Sequence, residues 1–272
     1  MEPNKEIKIL KLGGSILTDK NKPLSIRENI IDDAIEQIIQ SGEKLILVHG
    51  GGSFGHPLAK EFNIFNGINP QIKNQVLGLA KTHEAMIQLN SIIVNKFLQN
   101  DVPAISIQPS SIFIKKTDNF KMFSTEIIEN LLDLDILPVL YGDIVIDANN
   151  SFSIISGENI IIELCKNLKK YGIIEVIFAI EKDGLYVEKT EGEHSDIILC
   201  SEVYGDEIDR LKIPNLEKKI DVTGGIEGKI NSIKELCQHK IPVQIINGLK
   251  ENYIYKALKS EEIISTLIKP RK

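Results

Sequence analysis

His49-Gly50-Gly51-Gly52-Ser53-Phe54-Gly55-His56 follows directly on Lys44-Leu45-Ile46-Leu47-Val48. The apolar run reads as a short buried strand, and the glycines after it do not extend it. Three glycines in a row cost more backbone entropy than a plain turn requires, so the loop has a use for close backbone approach. A helix beginning near Ser53 would turn its unpaired N–H groups and partial positive charge toward an anion. His56 lies past the glycines, where a ligand phosphate would sit, and its imidazole can donate to one. His49, at the end of the buried strand, reads as structural, bonding its own loop.

The alternation of strand and helix continues on both sides. Short β-branched runs predict strands over residues 7–12, 44–48, 104–107, 137–140, 175–180 and 243–246. Stretches of helical period predict helices over 29–40, 78–99, 124–132, 158–170 and 226–239. In the second of these helices Leu79, Met86, Leu89, Ile93 and Phe97 mark one inward stripe. Residues 141–150 read as a hairpin turning at Asn149-Asn150. The pattern is that of an α/β fold, a mainly parallel sheet with helices on both faces. No linker or internal repeat divides it. A soft lobe boundary falls near 153–156, with the sheet running through.

The chain has 272 residues, 42% of them hydrophobic and 26% charged, values that fill a core. Disorder is expected only at Lys269-Pro270-Arg271-Lys272. A net charge of −6 excludes a general nucleic-acid binder, which needs a basic face, yet leaves room for a local basic pocket. Cys165, Cys200 and Cys237 lie too far apart for a zinc site or a disulfide framework, so a reducing cytosol is expected. The apolar stretch 7–12 is too short for a signal peptide, and no run approaches the ~18 residues of a membrane helix. A soluble cytoplasmic protein is the expectation.

Four further segments carry glycine near strand ends or helix starts. Lys11-Leu12-Gly13-Gly14-Ser15 closes the opening strand; its N–H groups can face an anion, and Lys11 can place charge on a transferring phosphoryl group. A tight turn with an exposed lysine is the plainer alternative. Ser156-Gly157-Glu158-Asn159 opens a helix, with Ser156 as N-cap, Glu158 as a first-turn acid and the Gly157 N–H open to substrate. Glu181-Lys182-Asp183-Gly184 lies at the carboxyl end of a strand, where α/β sheets bind ligands, although Asp-Gly also makes an ordinary turn. Asp221-Val222-Thr223-Gly224-Gly225-Ile226-Glu227-Gly228-Lys229 leads glycines into a helix, with Lys229 one turn in. Each segment alone is modest. Together with residues 49–56 they make five such segments at strand ends, which are hard to explain as turns alone.

Better-known phosphate loops do not fit. Gly50, Gly52 and Gly55 match G-x-G-x-x-G, but residues 62–70 are turn-rich rather than a helix leading to a strand that ends in an acid. The H-R-D and D-F-G elements of protein kinases are missing from the sequence, and Gly228-Lys229 is followed by Ile230, not the hydroxyl residue of a Walker A loop.

Taken in order, these segments resemble the amino-acid-kinase superfamily over nearly the whole chain, and within it the isopentenyl phosphate kinases. The likeness is carried by residues 11–15 with Thr18-Asp19-Lys20, by 49–56, and by Ser106-Ile107-Gln108-Pro109-Ser110-Ser111. It continues through Gly142-Asp143-Ile144-Val145-Ile146-Asp147, Ile155-Ser156-Gly157 and 221–229. The His-Gly-Gly-Gly-x-Phe-Gly-His string is the most specific, because its last histidine is absent from the acetylglutamate and uridylate kinase patterns. The resemblance implies an open αβα sandwich in which 1–155 binds the acceptor and 156–272 binds ATP. It also implies a homodimer, and ATP-dependent conversion of isopentenyl phosphate to isopentenyl diphosphate for isoprenoid synthesis, with Mg²⁺ on the ATP phosphates and no metal held by protein ligands.

The roles follow residue by residue from the same resemblance. Lys11 and Lys20 match lysines that stabilise the transferring group, and His56 and Gly51 match acceptor-phosphate contacts, with Gly157 a further substrate contact. Thr82 and Met86 match positions beside the isoprenoid tail, although a core methionine is the alternative for Met86. Lys11, Gly13, Gly14, Ser15, Gly52, Asp183, Gly225 and Lys229 match nucleotide contacts. One departure stands out: the family's Thr-Asp-x-Asp-Gly is Ile180-Glu181-Lys182-Asp183-Gly184 here, which bears on nucleotide affinity or base preference. Two rivals stay open, a fosfomycin-type phosphonate kinase with a similar histidine loop and a non-catalytic nucleotide- or oxyanion-binding protein of the same fold. Retention of Lys11, Lys20 and Lys229 speaks against the second.

Overall fold

The computed structural model describes residues 5–116, 119–149, 151–191, 194–214 and 225–271. Its strands are β1 (Lys5–Leu12), β2 (Leu45–His49), β3 (Ala104–Ser106), β4 (Phe113–Lys116), β5 (Asn119–Met122), β6 (Leu137–Tyr141) and β7 (Asp143–Asp147). They continue with β8 (Ser151–Ile155), β9 (Tyr171–Ile180), β10 (Tyr186–Glu191), β11 (His194–Leu199), β12 (Glu202–Tyr204), β13 (Val243–Asn247) and β14 (Thr266–Lys269). The helices are α1 (Gly14–Leu17), α2 (Glu28–Ser41), α3 (Gly52–Glu61), α4 (Gln75–Gln99) and α5 (Pro109–Ile112). After them come α6 (Glu126–Asp133), α7 (Gly157–Asn167), α8 (Gly225–Gln238) and α9 (Tyr253–Leu258).

An eight-stranded sheet runs in the order β12-β14-β13-β9-β1-β2-β6-β3, parallel except where β13 meets β14. Its central strands, β2 above all, are buried on both faces because both faces are covered. Leu45 and Leu47 join Ile31, Leu89, Phe97 and Ile254 on one side, whereas Ile46 and Val48 join Ile128, Leu132, Ile160 and Ile233 on the other. The pairing of β1 with β9 carries the sheet straight through the soft boundary near 153–156.

A second sheet, β5-β4-β7-β8, stands beside the main one. Between it and helices α3 and α4 lies a smaller core of Ala59, Ile64, Ile144 and Phe152, with Phe62 and Leu79 against it. The expected α4 stripe therefore divides: Met86, Leu89, Ile93 and Phe97 are buried, and Leu79 serves the smaller core.

Several boundaries differ from expectation; β9 begins at Tyr171 rather than 175 and α4 at Gln75 rather than 78. The hairpin at 141–150 is the pair β7–β8, because Tyr141 completes β6 instead. The helix expected over 158–170 stops at Asn167, where Leu168 turns extended toward β9. Toward the C-terminal end, Lys269 belongs to β14, which pairs with β12, and Arg271 bonds Asp206 and Glu207, so the part through Arg271 is tied down; Lys272 lies outside the described residues. No described helix is long and apolar enough to cross a membrane.

Register decides where the crevice lies. Leu12 stands opposite His49 and Ala179, His49 opposite Tyr141, and Ile180 opposite Asn247. The segments that follow these residues therefore leave one edge of the sheet together, the carboxyl edge.

Candidate active site

At that edge the two glycine loops touch backbone to backbone. The Gly50 N–H bonds the Leu12 carbonyl at 3.0 Å, and the Gly13 N–H bonds the Ala179 carbonyl at 2.9 Å. A methyl group on Gly50 would stand 2.7 Å from the Gly14 nitrogen, and one on Gly14 would collide with the Gly52 backbone. Gly52 itself has φ +48°, a left-handed conformation that favours glycine. Two of the loop N–H groups are thus used within the protein. Those of Gly14, Gly51 and Gly52 have no hydrogen-bond partner among the described residues and are left for an anion.

The loop that carries Lys20 is fastened to the same place. Thr18 Oγ1 donates to the Gly14 carbonyl at 2.8 Å and accepts the Ser53 N–H at 2.9 Å. Ser53 Oγ donates to the Ser25 carbonyl at 3.1 Å. Pro57 lies inside α3 and has no N–H to give the Ser53 carbonyl, which accepts the Leu24 N–H at 3.2 Å instead. Lys20 reaches across the crevice, its Nζ 2.9 Å from Glu181 Oε2.

The centre of the crevice is a buried cluster of lysine and glutamate. Lys11 Nζ sits 2.5 Å from Glu158 Oε1, with side-chain exposures of 9% and 13%. The lysine lies across the start of α7, where a methyl group on Gly157 would stand 2.9 Å from Lys11 Cε. Its ammonium is 5.6 Å from the centre of the Phe178 ring. Burial alone would push the Glu158 carboxyl up; the charges of Lys11 and Lys229 and the bond from Lys11 overcome it and hold the group at about 2. Lys229, on the first turns of α8, adds its charge to that of Lys11 in this effect. Ser156 caps α7 as expected, accepting the Asn159 N–H at 3.1 Å while Asn159 Oδ1 accepts the Ser156 N–H at 3.3 Å.

His49 and His56 part company. His49 is fully buried, with Nδ1 3.1 Å from the Gly50 carbonyl and Nε2 3.1 Å from the Asn90 amide nitrogen. A carbonyl only accepts, so Nδ1 donates and Nε2 accepts from Asn90, the pattern of a neutral ring. Burial pushes its pKa down to about 4, against a smaller upward pull from the Gly50 bond. The ring stacks on Tyr141. His56 is half-buried in α3, one turn past Gly52.

Thr82 and Met86 are both buried. The Thr82 hydroxyl donates to the Gly78 carbonyl of its own helix at 2.8 Å. Methyl groups on Gly51 and Gly55 would stand 2.7 and 2.9 Å from Met86 Sδ, so this sulfur supports the back of the loop.

On the other side of β9, Asp183 bonds Lys250 at 2.6 Å and Asn247 Nδ2 at 3.1 Å. The Lys250 bond leads in drawing its pKa below the ordinary carboxylate value. Beside it an apolar cleft is lined by Ile180, Leu185, Tyr186, Ile230, Ile233 and Ile245, with Lys229 among its walls. The residue that replaces the family's threonine, Ile180, is thus part of an apolar wall. Gly225 opens α8, and Asp221 to Gly224 lie outside the described residues.

Residues 6–247 match the model of the amino acid kinase family. The chain belongs to that family. Among its relatives, isopentenyl phosphate kinase of Methanocaldococcus jannaschii is 38% identical over 93% of this chain and 95% of its own length. The isopentenyl phosphate kinase of Methanothermobacter thermautotrophicus is 34% identical over 96% of this chain and 98% of its own. An isopentenyl phosphate kinase solved by X-ray methods superposes with a TM-score of 0.79 at 28% identity, covering 97% of this chain and all of that one. A substrate complex of isopentenyl phosphate kinase gives 0.75 at 26% identity with the same coverage of this chain. The family's open α/β sandwich is the fold described above.

The structure brings Lys11, Gly13, Gly14, Gly51, Gly52, Gly157 and Lys229 to one edge, with Lys20 at its rim and Asp183 across β9. Four contributions were missed in the sequence: Glu158 as the partner of Lys11, Asn90 behind His49, Lys250 on Asp183, and the carbonyl released by Pro57. Only Pro57 left a local signal, a proline inside a helical stretch.

Proposed function

We propose that this protein transfers the γ-phosphoryl group of ATP to isopentenyl phosphate, giving isopentenyl diphosphate. The observation that carries the reading is the buried Lys11–Glu158 ion pair, on which the charge of Lys229 also acts, beside a glycine loop ending in His56. In this reading the acceptor lies on the α3–α4 side, with its phosphate at Gly51 and His56, and its apolar tail runs toward Thr82, Met86 and the small core. The nucleotide base enters the cleft bounded by Ile180 and Ile233, with its phosphates running back to Gly52, Gly14 and Lys229. Asp183, already charged, lies near that cleft.

The chemistry asks little of a base. A phosphate monoester has a second pKa near ~6, so at neutral pH the acceptor oxygen is already deprotonated. That oxygen attacks the γ-phosphorus in line, and the bond to the bridging oxygen breaks to release ADP. Repulsion between two polyanions is the main obstacle, and lysines aimed at the equatorial oxygens reduce it where it is greatest. Glu158 keeps Lys11 aimed, and Lys229 brings a second positive charge to bear on the same carboxylate. A Mg²⁺ ion carried on the ATP phosphates supplies further charge neutralisation when bound; the carboxylates at the edge, Glu158 and Glu181, are already engaged by Lys11 and Lys20.

Purified protein with ATP and Mg²⁺ is expected to phosphorylate isopentenyl phosphate faster than a phosphonate, a simple alkyl phosphate or an amino-acid acceptor. Faster turnover of a phosphonate would move the reading to the phosphonate kinases. No turnover of any acceptor, with ATP still bound, would support a non-catalytic nucleotide-binding protein.

A further inference from the structure

Glu181 leaves β9 directly after Ile180, and its two oxygens are divided between two cations of one loop. Lys20 Nζ lies 2.9 Å from Oε2, and Arg27 Nη2 lies 3.3 Å from Oε1. The loop is closed at its base by the Thr18–Ile26 bridge, by Asp19 N–H to Ser25 O at 3.0 Å, and by Arg27 N–H to Leu17 O at 2.8 Å. Ser53 clamps it to the second glycine loop through the Ser25 and Leu24 bonds. With the stem so fixed, the part of Lys20 able to change place is its side chain.

The ion pair that holds this side chain is easily exchanged. Lys20 is 55% exposed and Glu181 30%, and so open a pair contributes little to stability. A doubly charged phosphate competes well for such a lysine. Arg27 remains on Glu181 when Lys20 leaves, so no uncompensated carboxylate meets the incoming phosphates. Asp183 does not offer the same service, because Lys250 and Asn247 already occupy it. Glu181 is also tied to the loop that follows Lys11, since the Gly13 N–H bonds Ala179, two residues before Glu181.

We propose that Glu181 is a positioning residue, holding Lys20 extended at the rim so that it passes to the transferring phosphoryl group when substrates arrive. The inference rests on the reading of Lys20 as a phosphoryl contact.

A double-mutant cycle tests it, run with whichever acceptor the wild type turns over. Glu181→Gln is expected to lower kcat about five-fold with a smaller change in acceptor KM, and to do nothing further in a Lys20→Ala background. Glu181→Asp is expected to recover part of the loss, and the urea midpoint of Glu181→Gln to stay with the wild type. Equal losses from Glu181→Gln in both backgrounds, or an unchanged kcat, would overturn the proposal. A second readout is independent of turnover: reductively ¹³C-methylated protein, with Lys20 assigned through Lys20→Arg. Its resonance should shift in Glu181→Gln, and should shift in the wild type when ATP and Mg²⁺ are added. A Lys20 resonance unmoved by either would also reject the proposal. Failure of isopentenyl phosphate as acceptor would touch only the functional reading.

Discussion

The floor of the crevice and its rim use the same residue types in opposite ways. On the floor, Lys11 is 9% exposed and bonded to a glutamate that is 13% exposed; on the rim, Lys20 is 55% exposed against one that is 30% exposed. The histidines repeat the contrast, His49 fully buried between two fixed partners and His56 half-buried on the first turns of α3. Burial sets the division of labour. A floor charge is held in place before any ligand arrives, at a desolvation cost that only a close counter-ion offsets. A rim charge is loosely held and can follow the substrate.

If the floor supplies the fixed charge, its loss should dominate all others. Lys11→Ala is expected to reduce kcat about a thousand-fold, with a far smaller change in either KM, measured by steady-state kinetics in both substrates. Comparable damage from Lys20→Ala alone, with Lys11→Ala mild, would invert the contrast.

Glu158→Gln sharpens it by taking from Lys11 the carboxylate it bonds. Removing one partner of a buried pair typically costs ~3–5 kcal/mol, so its urea midpoint should fall well below that of the wild type. The pair also sets a pH expectation. Glu158 is depressed from 4.5 to about 2, so its stabilising contribution is complete above pH 4.5 and is lost only as pH falls toward 2. The acid limb of activity should therefore follow the acceptor's own ionisation near pH ~6 rather than the cluster. An acid limb unchanged when the acceptor is replaced by one of different pKa would contradict this.

His56→Ala should act on the acceptor side alone, cutting kcat/KM for the acceptor about ten- to a hundred-fold while the KM for ATP stays put. His49 should act on stability rather than on turnover. Its pKa falls from 6.5 to about 4, so the unfolded chain takes up a proton between those values that the folded chain refuses. Stability should decline by ~3 kcal/mol as pH drops from 6.5 to 4, and that slope should flatten in His49→Asn, read from urea melts at a series of pH values.

What the sequence disclosed, and what it hid, follows the same physical line. Strand and helix periods gave the layers, since β2 is apolar on both faces and α4 on one. Glycine marked the loops because close backbone approach needs it, as at Gly14 against Gly52. Ser156 was legible as a cap because its partner is three residues away. Glu158 was read as a first-turn acid, because its role depends on Lys11, 147 residues distant, and on Lys229 from another helix. The bond from Lys20 to Glu181 spans 161 residues and was equally out of reach. Local chemistry writes itself into spacing; pairing across the sheet edge comes only with register.

The most direct test is phosphorus NMR of isopentenyl phosphate and ATP–Mg²⁺ with the wild type and with Lys11→Ala side by side. The account predicts that the monoester signal gives way to the paired doublets of a diphosphate with the wild type, and stays essentially unchanged with Lys11→Ala over the same time. Conversion by Lys11→Ala at the wild-type rate, or none by the wild type, would contradict it.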